Sequence, residues 1–127
     1  MQPVQSVLIV DESVETRAVL RTALEQSGRQ VLETSDAGEA LRLAHEFRPG
    51  VVVLDMEIER LPVDALARDL QAEALQPSSL LLLGSIKRSA RGLPHGEFVS
   101  KPYHYAPLIR KIEKLLNEAA PLASAGA

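Results

Sequence analysis

Short, wholly apolar runs alternate along the chain with longer stretches in which apolar residues recur every three to four positions. Ser6–Val10 (SVLIV) is such a run; Asp11-Glu12-Ser13 closes it and a helical period follows, the pattern of strand, acidic turn and helix. Over 14–27 the residues Val14, Ala18, Leu20, Ala23 and Leu24 share one face, Ser13 suits the N-cap, and Gly28 is placed as a stop. A short strand is expected at 30–33. Asp36 with Glu39 three residues on has the form of a capping box for a helix over 37–47, which Pro49-Gly50 ends. Residues 51–54 (VVVL) and 80–83 (LLLL) have no polar alternation, as expected of central parallel strands covered on both faces. A helix is predicted over 63–74, and at most a couple of helical turns over 85–91 before Gly92, Pro94 and Gly96 break the pattern. A fifth strand at 97–100 precedes a last helix over 107–119, with Leu108, Ile109, Ile112, Leu115 and Leu116 on one stripe and Pro107 in its first turn.

Strands alternating with helical segments in this way predict a doubly wound α/β fold around a five-stranded parallel sheet. In such sheets ligands bind beyond the carboxyl ends of the strands. The residues in that position are Asp11 and Glu12, Asp55, Gly84 and Ser85, and Lys101. Three carboxylates converging at one sheet end repel one another and raise the pKa of at least one unless a cation compensates. Mg²⁺, which takes oxygen ligands and is commonly held by one or two carboxylates plus phosphate oxygens, suits this set better than zinc or copper. Lys101, two strands from Asp55 and so about 10 Å across the sheet, has a stem long enough to bring its ammonium to the same point. Cation and ammonium together would cradle a phosphoryl group.

Composition narrows the field. The 127 residues, 46% apolar and 24% charged, describe one globular domain, long enough to bury roughly two-thirds of its unfolded surface without disulfides or structural metal. Phe47, Phe98, Tyr103 and Tyr105 are the only aromatic residues, too few for a base-stacking platform. Fourteen Lys and Arg against 17 Asp and Glu leave a net charge of −3, so no direct nucleic-acid contact is expected. Without cysteine there is no disulfide, thiolate catalysis or Cys-type metal site, and His45, His95 and His104 have no metal-ligand spacing. No apolar run approaches the ~18 residues of a membrane span, and the opening MQPVQS lacks a signal-peptide pattern. A cytoplasmic protein without membrane association is expected.

The run VLIVDES (7–13), the strand end VVVLD (51–55) and the segment EFVSKPY (97–103), in this order, resemble the receiver domain of two-component response regulators, over residues 5–119. The resemblance implies strand order 2-1-3-4-5, Asp55 as phosphoacceptor, and Asp11 and Glu12 as the acidic pair that holds Mg²⁺ with Asp55. It makes Lys101 the family's lysine, joined to Pro102 by a bond that is typically cis, and Phe98 the switch aromatic. It implies a signalling domain that assists its own phosphorylation rather than an enzyme. A sensor histidine kinase or phosphotransfer protein would act upstream. Output would pass through protein contacts to a partner or effector domain, with a homodimer possible through the face of the fourth helix, fifth strand and fifth helix. Residues 1–119 would be the receiver and 120–127 a flexible tail or linker, in a stand-alone receiver or a piece of a longer regulator.

Several positions depart from the family pattern. The phosphate-sensing Thr or Ser aligns with Gly84; Ser85, one place late, can substitute only if a bulge turns it inward. The segment between Gly84 and Lys101 is short, so an irregular or shortened fourth helix is expected. Glu59 replaces a proline after Asp55, and Glu57 puts a further carboxylate beside the entering phosphate, where it repels that group while favouring a cation. Glu12 stands where aspartate is commoner, one methylene longer.

Singly, these features are bland: Asp11 and Glu12 can complement a helix dipole, Asp55 can form a turn, and Lys101-Pro102 says little. Their placement each at the end of its own strand is what points to one site. Lys87, Arg88 and Arg91, like Arg110, Lys111 and Lys114, read as solvated surface. A dehalogenase-type phosphatase would want aspartate where Glu57 stands, and a flavin binder would want a Ser/Thr/Gly-rich loop where DESVET stands. The stronger alternative is a receiver-like interaction module that works without phosphorylation, favoured by Gly84, Glu57 and the short fourth helical region.

Overall fold

Alternation along the strands sends successive side chains to opposite faces, and both faces of this sheet are apolar, so helices must cover both. The computed structural model describes residues 5–73, 80–85 and 97–125. Its strands are β1 (Ser6–Val10), β2 (Gln30–Thr34), β3 (Val51–Asp55), β4 (Leu80–Gly84) and β5 (Glu97–Ser100). The helices among the described residues are α1 (Val14–Gln26), α2 (Ala37–Phe47), α3 (Val63–Glu73) and α4 (Tyr105–Ala125), the last being the helix expected over 107–119. The sheet is parallel throughout, in the order β2-β1-β3-β4-β5, as expected. The irregular fourth helix, and with it Lys87, Arg88, Arg91 and His95, falls on 86–96, outside the described residues.

One face of the sheet, with Val7, Ile9, Val51, Val53, Leu81 and Leu83, packs on Leu20 and Leu24 of α1 and Leu108, Ile112 and Leu116 of α4. The other, with Leu8, Val10, Val52, Leu54, Leu80 and Leu82, packs on Leu43 of α2 and Leu66 and Leu70 of α3. The aliphatic side chains that replace aromatic ones are fully enclosed, so the sheet is a rigid base for what projects from its end. No helix among the described residues is long and apolar enough to cross a membrane.

The helix ends follow the local chemistry. Ser13 Oγ accepts from the Thr16 amide at 3.1 Å and starts α1; Asp36 Oδ2 accepts from the Glu39 amide at 2.8 Å and starts α2. Gly28 takes φ +86° after α1, a conformation that suits glycine, and its amide donates to the Glu25 carbonyl at 3.0 Å. After α2 the left-handed residue is Arg48, at φ 48°, one place before the Pro-Gly pair that marked the stop in the sequence. Helix α4 begins at Tyr105 and continues through Ala125. The segment read as a tail from 120 is therefore helical for most of its length, through Pro121 and against proline's low helix propensity.

Candidate functional site

The sheet ends abruptly in polar residues. β1 runs into Asp11, β3 finishes on Asp55, and β5 leads to Lys101, whose bond to Pro102 is cis. Parallel register places the ends side by side: Val10 pairs with Leu54, and Asp55 with Leu83. Asp11 and Asp55 follow Ile9 and Val53 in the alternation and leave the sheet on the side covered by α1 and α4. Both are buried, Asp11 3% and Asp55 6% exposed.

Each buried carboxylate has partners that fix its orientation. Asp11 Oδ1 accepts from the Ser13 amide at 2.8 Å. Asp55 Oδ1 accepts from the Glu57 amide at 2.9 Å and from Lys101 Nζ at 2.8 Å. Lys101 thus spans the end of β4 to reach Asp55, the reach its stem length predicts. Burial raises the Asp11 pKa above the ordinary carboxylate value; the charge of Asp55 adds to this, while the Ser13 amide, Lys101 and Arg17 work against it. For Lys101 burial pulls the ammonium's pKa down, but hydrogen bonds and charge from Asp55 and Glu57 outweigh it and the pKa is raised.

Glu57 folds back over the site. Its Oε2 accepts from the Ser85 amide at 3.0 Å and its Oε1 lies 3.3 Å from Lys101 Nζ. The Ser85 amide, the Lys101 ammonium and the Ser85 hydroxyl together hold the Glu57 carboxyl below its usual range. Ser85 therefore faces Glu57. β4 reaches Gly84 without a bulge, pairing Leu83 with Asp55 and Gly84 with Ser100, so alternation sends Gly84 and Ser85 to opposite faces. A Cβ built on Gly84 lies 3.4 Å from Met56 Cβ, 3.8 Å from Glu57 Cγ and 3.9 Å from the Phe98 ring. Gly84 and Phe98 thus adjoin each other on the α2 and α3 side, where Phe98 packs partly buried.

Glu12 is not brought to the pair. Its carboxylate is 51% exposed and stands 3.8 Å from Arg60 Nε; Arg60 is itself held by a bond to the Ser35 carbonyl at 3.0 Å. The longer glutamate side chain reaches a cation at the rim. Among the described residues no three of His, Asp and Glu stand in a group arranged to hold a metal ion. Asp11 and Asp55 alone supply a pair of buried, mutually repelling hard oxygen donors. Mg²⁺ is commonly held by one or two carboxylates with water completing the octahedron, so this pair fits it.

Arg17 and Tyr103 border the site, each with partners of its own. Arg17 of α1 donates to the Asp11 carbonyl and, through Nε, to Glu33 of β2 at 2.8 Å, tying the acidic turn to the edge strand. Burial raises the Glu33 carboxyl, but Arg17 and Arg21 outweigh it and hold it below its usual range. Tyr103 packs edge-on against Tyr105 with ring centroids 6.0 Å apart, and Tyr105 Oη lies 3.2 Å from Thr16 Oγ1. Burial and the Asp11 charge raise the Tyr103 phenol's pKa. Sequence marks Tyr103 only by its position two residues after Lys101, and Arg17 only by its lying in the second turn of the helix that follows the acidic pair.

Comparison with known proteins agrees with this architecture. Residues 7–113 match the response regulator receiver domain family. A probable transcriptional regulator, ycf27, of Guillardia theta is 33% identical over 122 residues, which is 91% of this chain and 48% of that protein. The response regulator MprA of Mycolicibacterium vanbaalenii is 31% identical over 124 residues, 94% of this chain and 54% of that one. The chain thus spans about half the length of the curated relatives it matches. Among solved structures, the chemotaxis protein CheY4 of Vibrio cholerae superimposes with a TM-score of 0.75 at 19% identity, covering 89% of this chain and 99% of that one. The receiver domain of a sensor histidine kinase from Pseudomonas aeruginosa, with magnesium coordinated in its active-site cleft, gives 0.70 at 20% identity, covering 91% and 99%.

Proposed function

Because the chain belongs to the response regulator receiver family, a family of signalling domains rather than enzymes in the ordinary sense, we propose that Asp55 accepts a phosphoryl group in a Mg²⁺-dependent reaction and relays it as a changed protein-binding surface. The observation that carries the reading is the Lys101 ammonium held 2.8 Å from Asp55 Oδ1, beside a second buried carboxylate, Asp11. Asp11 and Asp55 would hold the metal, with Glu12 and Glu57 at its rim. Bound Mg²⁺ supplies a compact double positive charge that offsets these carboxylates and the phosphoryl oxygens.

An ionised Asp55 oxygen forms the bond to phosphorus while the bond from phosphorus to the donor's leaving atom breaks, that atom departing with the electron pair. Asp55 gives up no proton. Lys101 offsets charge on the phosphoryl oxygens, and the Glu57 amide fixes the carboxylate's rotamer, so positioning and electrostatics do the work. The acyl phosphate carries close to two negative charges where the carboxylate carried one, and these draw Lys101 and the Ser85 amide toward the phosphoryl group and shift Phe98. The donor in this reading is a histidine kinase or phosphotransfer protein, and the output is a contact with a partner or effector domain in the cytoplasm. Residues 1–119 act as the receiver unit. Intact mass after incubation with acetyl phosphate, with and without Mg²⁺, tests the reaction: one metal-dependent phosphoryl gain is expected. A folded protein that gains none under conditions that modify a known receiver is instead a phosphorylation-independent module, the reading favoured by Gly84.

Gly84→Ser follows from the same geometry. A Cβ there meets only ordinary van der Waals neighbours, and removing a strand glycine lowers unfolded-state entropy. Stability is expected to change by less than about 1 kcal/mol, read as the thermal midpoint. The new hydroxyl stands beside Phe98, so the Phe98 ring resonances are expected to move further on phosphorylation than in the parent protein.

A further inference from the structure

Glu57 takes up the donors that an anion bonded to Asp55 needs. Its backbone is tied to the acceptor, since its own amide donates to Asp55 Oδ1 at 2.9 Å. From there its carboxylate turns back, one oxygen accepting from the Ser85 amide at 3.0 Å and the other 3.3 Å from the same Nζ that lies 2.8 Å from Asp55. An amide at the end of β4 and an ammonium from the end of β5 therefore converge on a negatively charged group beside Asp55. We infer that Glu57 is an internal surrogate for the phosphoryl group: it holds the Lys101 ammonium and the Ser85 amide in the unmodified protein and must yield both when Asp55 is phosphorylated.

The inference rests on the reading of Asp55 as phosphoacceptor and adds how that site is regulated. Two anions cannot share one ammonium and one amide without strong repulsion. Glu57 is 35% exposed and Lys101 31%, so the glutamate can leave by rotating into water with no rearrangement of the core. Its departure frees Ser85, whose amide then passes from a bond with Glu57 to a bond with the phosphoryl group. The surrogate slows entry of the phosphoryl group and holds the Ser85 amide until the group arrives.

The experiment compares the parent protein with Glu57→Ala and Glu57→Gln, all shown to be folded by thermal melting. The initial rate of phosphoryl uptake from acetyl phosphate with Mg²⁺ is followed by intact mass, and Ser85 amide exchange is followed in the unmodified proteins. Glu57→Ala, which removes both contacts, is expected to take up phosphoryl roughly tenfold faster, the scale of losing hydrogen bonds to a partly exposed charged group. Glu57→Gln, which keeps a hydrogen-bond acceptor but not the charge, is expected to fall between, and Ser85 exchange is expected to quicken in Glu57→Ala. Uptake no faster than the parent in both variants, with phosphorylation occurring in all three proteins, overturns the inference. Absence of phosphorylation in all three overturns the reading of Asp55 itself, a different result, and removes the inference with it.

Discussion

The Asp55→Asn protein is expected to fold and to take up no phosphoryl group. The amide keeps an oxygen in the place of Oδ1, where the Glu57 amide and Lys101 Nζ now donate at 2.9 and 2.8 Å, so the end of β3 retains its bonds. What is lost is the ionised oxygen: a carboxamide is not a nucleophile toward phosphorus. For stability two effects oppose. Substitution removes the like charge that helps raise Asp11 and also discharges the partner of Lys101. The pair is buried at Asp55 and partly exposed at Lys101, and with its hydrogen bonds kept by the amide the lost charge is worth about 1–2 kcal/mol, so the thermal midpoint is expected to stay within about 8 °C of the parent. Phosphoryl gain by Asp55→Asn at the parent's rate would remove Asp55 from its proposed role.

Lys101→Ala is expected to weaken the response more than the uptake. Asp55 and Asp11 remain, so the pair that fits Mg²⁺ persists, and uptake is expected to fall by about tenfold, less than the hundredfold or more lost with a fully enclosed donor, because Lys101 is partly exposed to water. The response depends on Lys101 more directly, because its ammonium connects Asp55 of β3 and Glu57 to the end of β5, three residues from Phe98. Without it the Phe98 resonances are expected to stay near their unmodified positions even in phosphorylated protein. A pH signature accompanies this. The Lys101 pKa is raised in the folded protein, so its contribution to stability is fully present below the unfolded value near 10.5 and is lost as pH rises through the folded value. The difference in thermal midpoint between parent and Lys101→Ala is therefore expected to shrink above that pH. A difference that grows there would contradict the ion-pair account.

Strands were legible where one face or both must be buried. SVLIV, VVVL and LLLL contain no compromise between core and solvent, and each appears as a strand within one residue of its expected bounds. The capping residues Ser13 and Asp36 were equally plain, because a short oxygen-bearing side chain before an apolar period has few other uses. Helix ends without such a side chain were less so. Arg48 takes the left-handed position although Gly50 stood nearby, and α4 runs on to Ala125 even though Pro121, a residue that ordinarily stops a helix, lies within its last turns.

Within the candidate site, backbone position was readable and side-chain direction was not. Asp11, Asp55 and Lys101 converge because sheet order and register bring three strand ends together, and that order follows from the alternation of elements. Glu12 faces Arg60, and Glu57 faces Ser85 and Lys101. Both outcomes depend on cations and amides far away in the sequence, which no local pattern reports. Arg17 was missed for the same reason: its value lies in linking Asp11 to Glu33, on strands that meet only in the folded sheet.

The central claim is that Asp55 is the residue that carries the phosphoryl group. Its most direct test is to treat the parent protein with acetyl phosphate and Mg²⁺, trap the acyl phosphate by reduction with borohydride, and map the altered residue by peptide mass. The account predicts modification at Asp55 and nowhere else. Modification on Asp11, Glu12, Glu57 or a histidine, with Asp55 unchanged, would contradict it.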